Sequence, residues 1–326
     1  MAYLDGRPEA TRRLEAQDHG VVIPYGHAPG QADCHGARDM WVFEADGEYH
    51  LFYDGCGPDG WRCCHAVSTD LVQWRLSGPI LDLGEPGAPD CAYAGYGATI
   101  HADNRWHFFY VGCRATTPPP DRVPAMPYIN LKAEADSPYG PWRKRYDLRP
   151  FEPLPGTYYA DTCNPGHIVQ VGDEYIMFFS AAIFCGAGVK RTLGLARTRD
   201  LDGVWQPDPE PMLPLDEQIE NAAVYYEAAT GTWYVFTNHV GIDTRGEYRD
   251  AVWTYWTQDL NCWDPANKAV VIDGANCTWS HASIGMAAVA RVGDRLGIIY
   301  DGPGGDSIDN MRNSLALAWL PLPLTV

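Results

Sequence analysis

Apolar and polar residues alternate along the chain in short runs with a period of two. No stretch carries a comparable 3.6-residue period, so the pattern predicts strands rather than helices. The alternation recurs in five units, each a short strand, a tight turn and a second strand ending on an aromatic residue: MWVFEADGEYHLFY, GATIHADNRWHFFY, GHIVQVGDEYIMFF, AAVYYEAATGTWYVF and AAVARVGDRLGIIY. The terminal aromatics are Tyr53, Tyr110, Phe179, Phe236 and Tyr300. Asp-Gly, Asp-Asn or Gly-Asp at the centre signals a hairpin, because these residues accept the positive φ angles that two-residue turns require. Four units run on through a third strand into a segment that closes on tryptophan, STDLVQW, DSPYGPW, TRDLDGVW and TQDLNCW, with Trp74, Trp142, Trp205 and Trp263. The fifth reaches a third strand, SLALAWL, and lacks the Trp-closed segment.

Four antiparallel strands recurring at intervals of roughly 60 residues are the mark of propeller blades. The pattern predicts an all-β, five-bladed β-propeller, a single domain over residues 1–326 with blades near 36–81, 95–152, 161–214, 219–273 and 281–322. The apolar segment GVVIPY at 20–25 is expected to supply the outer strand missing from the fifth blade and close the ring, removing an edge open to aggregation. Alternating strand direction puts the tight hairpins on one face. Long loops at 54–61, 111–127, 181–190, 237–250 and 301–311 are expected on the other, where function normally sits.

Composition narrows the partners. With 46% apolar and 20% charged residues, the chain can bury a packed core. A formal charge of -18 excludes a nucleic-acid partner, which needs a basic surface, and favours an uncharged ligand. No apolar run is long enough to span a bilayer, and residues 1–20 carry none at all, so no membrane partner is expected. A cytoplasmic location follows, or secretion if a leader has been removed. In that setting the ten cysteines are expected as reduced thiols, and Cys63-Cys64-His65 as a buried structural run without zinc-site spacing.

The innermost strand of each blade lines the central channel, so a carboxylate at its start reaches the pocket mouth. Asp39 precedes blade one, Asp161 blade three and Glu220 blade four; blade two has Gly95-Tyr96-Gly97 there and blade five His281-Ala282-Ser283. Any one of the three could be an ordinary strand-leading residue bonded to backbone amides. Three at matching positions point instead to acid–base work on a glycosidic bond, where one carboxyl protonates the leaving oxygen while another activates water or attacks carbon.

STDLVQW followed by SGPIL, the hairpin SPYGPW, and strand pairs ending in an aromatic doublet resemble the blades of glycoside hydrolase family 43, and of the five-bladed relatives in families 32, 62, 117 and 130. The resemblance covers roughly 35–320. It implies a glycosidase acting on a carbohydrate substrate of the arabinofuranoside, xyloside or galactoside kind, by inversion, with no cofactor required. Asp39 would be the general base, Glu220 the general acid, and Asp161 the residue that modulates and orients it. Two departures stand out: Asp39 is followed by Met40 where the family has proline, and Pro165 lies four residues after Asp161. The Asn-Asp-Pro-Asn and Glu-Cys motifs of family 32 are missing. A glycoside phosphorylase, with Lys190, Arg191 and Arg312 as a phosphate cradle, and a non-catalytic sugar-binding propeller stay as alternatives.

The resemblance also implies that His281 faces the channel and holds a structural calcium ion through water, the alternative being a hydrogen-bonded channel residue. Trp279 is a candidate sugar platform or a packed tryptophan. His239 and Arg312, with Arg62 and Arg191, are loop residues expected on the pocket face. The segment TTPPPDRVPAMP (116–127) is expected to be a stiff rim loop.

Overall fold

The protein is described by a computed structural model over residues 9–186, 188–241, 248–309 and 311–325. It is an all-β chain. In order, the strands are β1 (Arg12–Arg13), β2 (Gln17–Ile23), β3 (Gly36–Ala45), β4 (Glu48–Gly57), β5 (Gly60–Ser68), β6 (Arg75–Leu81), β7 (Tyr93–Ala102), β8 (Arg105–Cys113), β9 (Ile129–Ala135), β10 (Arg143–Lys144) and β11 (Thr162–Asn164). They continue with β12 (Ile168–Val171), β13 (Glu174–Cys185), β14 (Gly188–Thr198), β15 (Gln206–Pro207), β16 (Ile219–Glu227), β17 (Thr232–Gly241), β18 (Tyr248–Thr257), β19 (Lys268–Ile272), β20 (Gly285–Val292), β21 (Arg295–Gly302) and β22 (Ser314–Pro321).

The five sequence repeats fold as five antiparallel units. They are β3–β6, β7–β10, β11 to β15, β16–β19 and β20–β22. The turns obey the sequence: Asp46 and Gly47, then Asp103 and Asn104, all take left-handed φ angles, as two-residue hairpins that match strand twist require. A short parallel pairing of β5 with β7 fuses the first two units into one sheet. The fifth unit gains its fourth strand from the N-terminal segment, since β2 pairs antiparallel with β22, Gln17 opposite Trp319 and Ile23 opposite Leu315. This outer strand begins three residues earlier than the apolar run GVVIPY. Another N-terminal pair, β1, lies parallel against β19.

Strands of neighbouring units touch: the inner strands β20 and β3, β3 and β7, β7 and β12, and β16 and β20 pack together, while the third unit meets β16 through its second strand, β13. The core lies between units. Met40, Leu51, Tyr53 and Trp61 of the first meet Met286, Ile299, Leu315 and Leu317 of the fifth, all of them buried.

Two of the expected loops are strands. β4 and β5 run to a turn at 58–59, and β13 and β14 extend to Cys185 and from Gly188, so neither 54–61 nor 181–190 is an open loop. The ladder continues through them, which satisfies backbone groups that a loop would have to hydrate. Of the segment 237–250, residues 242–247 lie outside the described residues. Among the described residues no helix is long and apolar enough to cross a membrane. All ten cysteines are free thiols.

Candidate active site

A fault recurs in the inner strands and builds the site. Pairing slips at Arg38/Met40 in β3, Gly95/Gly97 in β7, Glu220/Ala223 in β16 and Gly285/Ala287 in β20, while Pro165 separates β11 from β12. A β-bulge leaves one residue unpaired and re-aims its neighbours. Asp39 (φ 45) and Asn221 (φ 59) take left-handed conformations at two of these bulges, a strain that residues other than glycine carry only where surrounding structure enforces it. The freed amides are caught by side chains from the second strand of another unit. Asp301 Oδ2 accepts from Asp39 N at 3.0 Å, Asp54 Oδ1 from Tyr96 N at 2.8 Å, and Ser180 Oγ from Asn221 N at 2.8 Å. Each acceptor directly follows the aromatic residue that ends its repeat, Tyr300, Tyr53 and Phe179.

The bulges of β3, β7 and β16, with β11, border a cavity of about 350 Å³, at the small end of the roughly 300–1,000 Å³ typical of ligand pockets. Asp39 and Glu220 both line it, although 181 positions separate them in the chain (220 − 39). Each carboxylate is held by an arginine of the same wall. Arg38 Nε lies 3.1 Å from Asp39 Oδ2, and Arg191 Nε donates to Glu220 Oε2 at 3.0 Å, with Asn238 Nδ2 reaching Glu220 Oε1 at 3.4 Å. Arg38 also stacks on Trp61, its guanidinium carbon 4.8 Å from the ring centre. Tyr93, Tyr96 and Tyr128 supply flat faces, Thr162, Asn164 and Ser180 polar ones, and Pro124 and Met126 of the Pro-rich segment close one side as a rim loop.

Asp161 is absent from this wall. It stands just before β11, and its Oδ2 accepts from Phe184 N at 2.6 Å across the strand pair, while its neighbours Thr162 and Asn164 face the cavity. The binding residues expected from the fifth unit also lie elsewhere, because the wall is drawn wholly from the other four. Trp279 donates from Nε1 to Tyr300 Oη at 2.8 Å and packs on a hydrophobic cluster. Arg312 ties two rim segments together, 2.7 Å from Asp309 and 2.8 Å from Asp121. His239 is fully buried, stacked 3.5 Å from Trp253 and 3.1 Å from Tyr255 Oη; its strand neighbour Val240 faces the cavity instead. Arg62 sits in β5 between Asp59 and Asp82.

His281 is exposed and meets the Asp306 carboxylate at 3.3 Å. One imidazole and one exposed carboxylate do not fit calcium, which takes six to eight oxygen ligands. The imidazole set between inner strands is His167, whose Nδ1 accepts from Val224 N at 2.8 Å and whose ring meets Trp41 edge-on; desolvation lowers its pKa to about 3, so it is neutral. Among the described residues one trio of metal-type side chains comes within reach, His107, Glu134 and Asp202. Lys132, Arg105, Arg143 and Arg145 already pair with its two carboxylates, and four cations there oppose a fifth.

The sequence pattern does not single out Arg38, the three tyrosines, Asn164 or Asp54. Packing between units and the bulges bring them together, and a bulge has no sequence signature beyond an interrupted alternation.

The fold is that of the β-propeller glycoside hydrolases. No family model matches the chain, and no curated protein matches it by sequence. Among solved structures, a glycoside hydrolase is similar over 96% of this chain and 96% of its own, with a TM-score of 0.73 and 15% identity. A thermostable family-43 glycoside hydrolase is similar over 90% of this chain and 91% of its own (TM-score 0.62, 14% identity). The catalytic domain of the Coprinopsis cinerea family-62 α-L-arabinofuranosidase is similar over 94% and 97% (TM-score 0.62, 14% identity). Members of families 117 and 130 are similar as well.

Proposed function

We propose that the five antiparallel units are blades of one closed propeller, and that the protein is a glycoside hydrolase working with Asp39 and Glu220. The observation carrying this reading is that these two carboxylates, from units far apart in the chain, line the same small cavity, each at a strained bulge or beside one and each fixed by its own arginine. The succession of contacts from unit to unit and the β2–β22 pairing support closure. Neighbours that include an α-L-arabinofuranosidase and a family-43 enzyme support the reaction class.

In the proposed reaction Asp39 removes a proton from water as the water oxygen bonds to the anomeric carbon. The bond from that carbon to the leaving oxygen breaks, and Glu220 gives its proton to that oxygen. Asp39 ends protonated and Glu220 ionised, and exchange with solvent resets both. Inversion follows from this single displacement. Each cation of the wall already has a carboxyl partner, Arg38 with Asp39 and Arg191 with Glu220, a balance that suits a neutral sugar of the arabinofuranoside, xyloside or galactoside kind rather than an anion. The balance also argues against phosphorolysis: Lys190 and Arg312 are paired with Asp216, and with Asp309 and Asp121.

The test is a screen of aryl arabinofuranosides, xylosides and galactosides, with proton NMR of the first anomer released, in the presence and absence of phosphate. A phosphate-independent, inverted product is expected. Asp39→Asn and Glu220→Gln should lose turnover while still binding the sugar; activity retained in both sinks the assignment.

A further inference from the structure

Blade two has no acid at the start of its inner strand, yet a carboxylate stands there. Asp54, from β4, enters the space of the missing side chain: a Cβ on Gly95 would lie 2.1 Å from Asp54 Oδ1. Asp54 is fully buried, takes the amide of Tyr96 on Oδ1, and takes the hydroxyl of Tyr93, a residue of the cavity wall, on Oδ2 at 2.6 Å. It lies opposite Arg38 in the β3–β4 register, and a small void under the wall is lined by both Asp39 and Asp54.

Capping a bulge does not need an acid. Ser180 caps the equivalent amide of Asn221 with a hydroxyl. Burying a carboxyl costs several kcal/mol if it is charged, so an aspartate where serine would serve needs a further reason. Asp301 caps the third such amide, but its other oxygen is held by Asn313, whereas that of Asp54 is held by a tyrosine of the cavity.

We propose that Asp54 forms an electrostatically coupled carboxyl pair with Asp39 and is its positioning residue, through Tyr93 and the Tyr96 bulge. This rests on the reading of Asp39 as the base. The groups facing Asp54 are Arg38 and Asp39 from β3, Cys63 and Cys64 from β5, and Tyr93 and Tyr96 from β7; Asp301 faces Asp39. Burial first and the charge of Asp39 second raise the Asp54 pKa, to about 8, so it is largely protonated at neutral pH. Two acids so placed titrate as a pair.

The experiment is a carboxyl ¹³C NMR titration of the full-length protein labelled at aspartate, for wild type, Asp54→Ser, Asp39→Asn and Tyr93→Phe. One signal should titrate far above the other aspartates, vanish in Asp54→Ser, and fall by about one pH unit or more in Asp39→Asn. In Tyr93→Phe, which loses a donor to the charged form, it should rise. An Asp54 signal in the ordinary aspartate range, or one unmoved by Asp39→Asn, overturns the pair. These readouts need no substrate, so they decide the pair even if no glycoside is turned over. Where one is, Asp54→Ser should move the pH–rate limb of Asp39 and Asp161→Asn should not; a limb unmoved by Asp54→Ser reduces Asp54 to a bulge cap.

Discussion

Asp39 and Glu220 reach one cavity because each lies at a place where its strand's pairing slips, and each is then fixed by a guanidinium. Arg191 bridges two units to do this: its side chain holds Glu220, and its backbone amide is held by Gln218 Oε1 at 3.0 Å. Displacement of a catalytic group by about 1 Å can cost roughly 10²-fold in rate. Arg191→Ala should therefore lower kcat by about that factor, with little change in sugar affinity measured by calorimetry. Asp54 gives a stability signature. Its pKa in the fold is raised, so its contribution is full below the unfolded value near about 4 and is lost as pH rises through about 8. Urea melts should show wild type losing stability over that window relative to Asp54→Asn. At this scale the sequence pointed to Asp39 and Glu220 from their place at the head of a recognisable apolar alternation, and both line the cavity from within β3 and β16. It was silent on Asp54, whose carboxyl fills a gap at Gly95 of another unit, and did not foresee that the Asp161 carboxyl turns back onto Phe184 N.

The elements were legible because period-two alternation and left-handed turn residues act locally. Tyr53, Tyr110, Phe179, Phe236 and Tyr300, which end the repeats, are all buried in second strands. Loop length was less legible, since whether residues such as 54–57 pair or hang free depends on the strand opposite. The fourth unit shows what holds an element near the site. Lys268 of β19 pairs with Glu217 at 2.8 Å, and Tyr255 of β18 donates to the same carboxylate at 2.6 Å, all three being buried. Removing one partner leaves the other charge buried and alone, at a cost of about 3–5 kcal/mol. Glu217→Ala should therefore lower the free energy of unfolding by about that amount in a denaturant titration. A loss below about 1 kcal/mol would mean that water enters and compensates.

At the scale of the molecule, the chain's ends meet through β2 and β22, as expected from an apolar segment that had no other strand to join. Removing residues 1–24 would strip the edge of β22 along Leu315–Trp319. That variant should aggregate in light scattering at temperatures where the full chain stays monodisperse. The cavity's wall was not legible, because which units line it depends on how the five pack. Hence His281, Trp279 and Arg312 of the fifth unit were expected at a wall that the other four build.

The central claim, that Asp39 and Glu220 divide the work of base and acid, is tested most directly by a leaving-group series on one accepted sugar. An acid matters most when the leaving oxygen is basic, whereas a base acts on water whatever leaves. Glu220→Gln should lose much more rate on an alkyl glycoside than on a nitrophenyl one, while Asp39→Asn should lose similar factors on both. Equal losses in Glu220→Gln across the series would contradict the account.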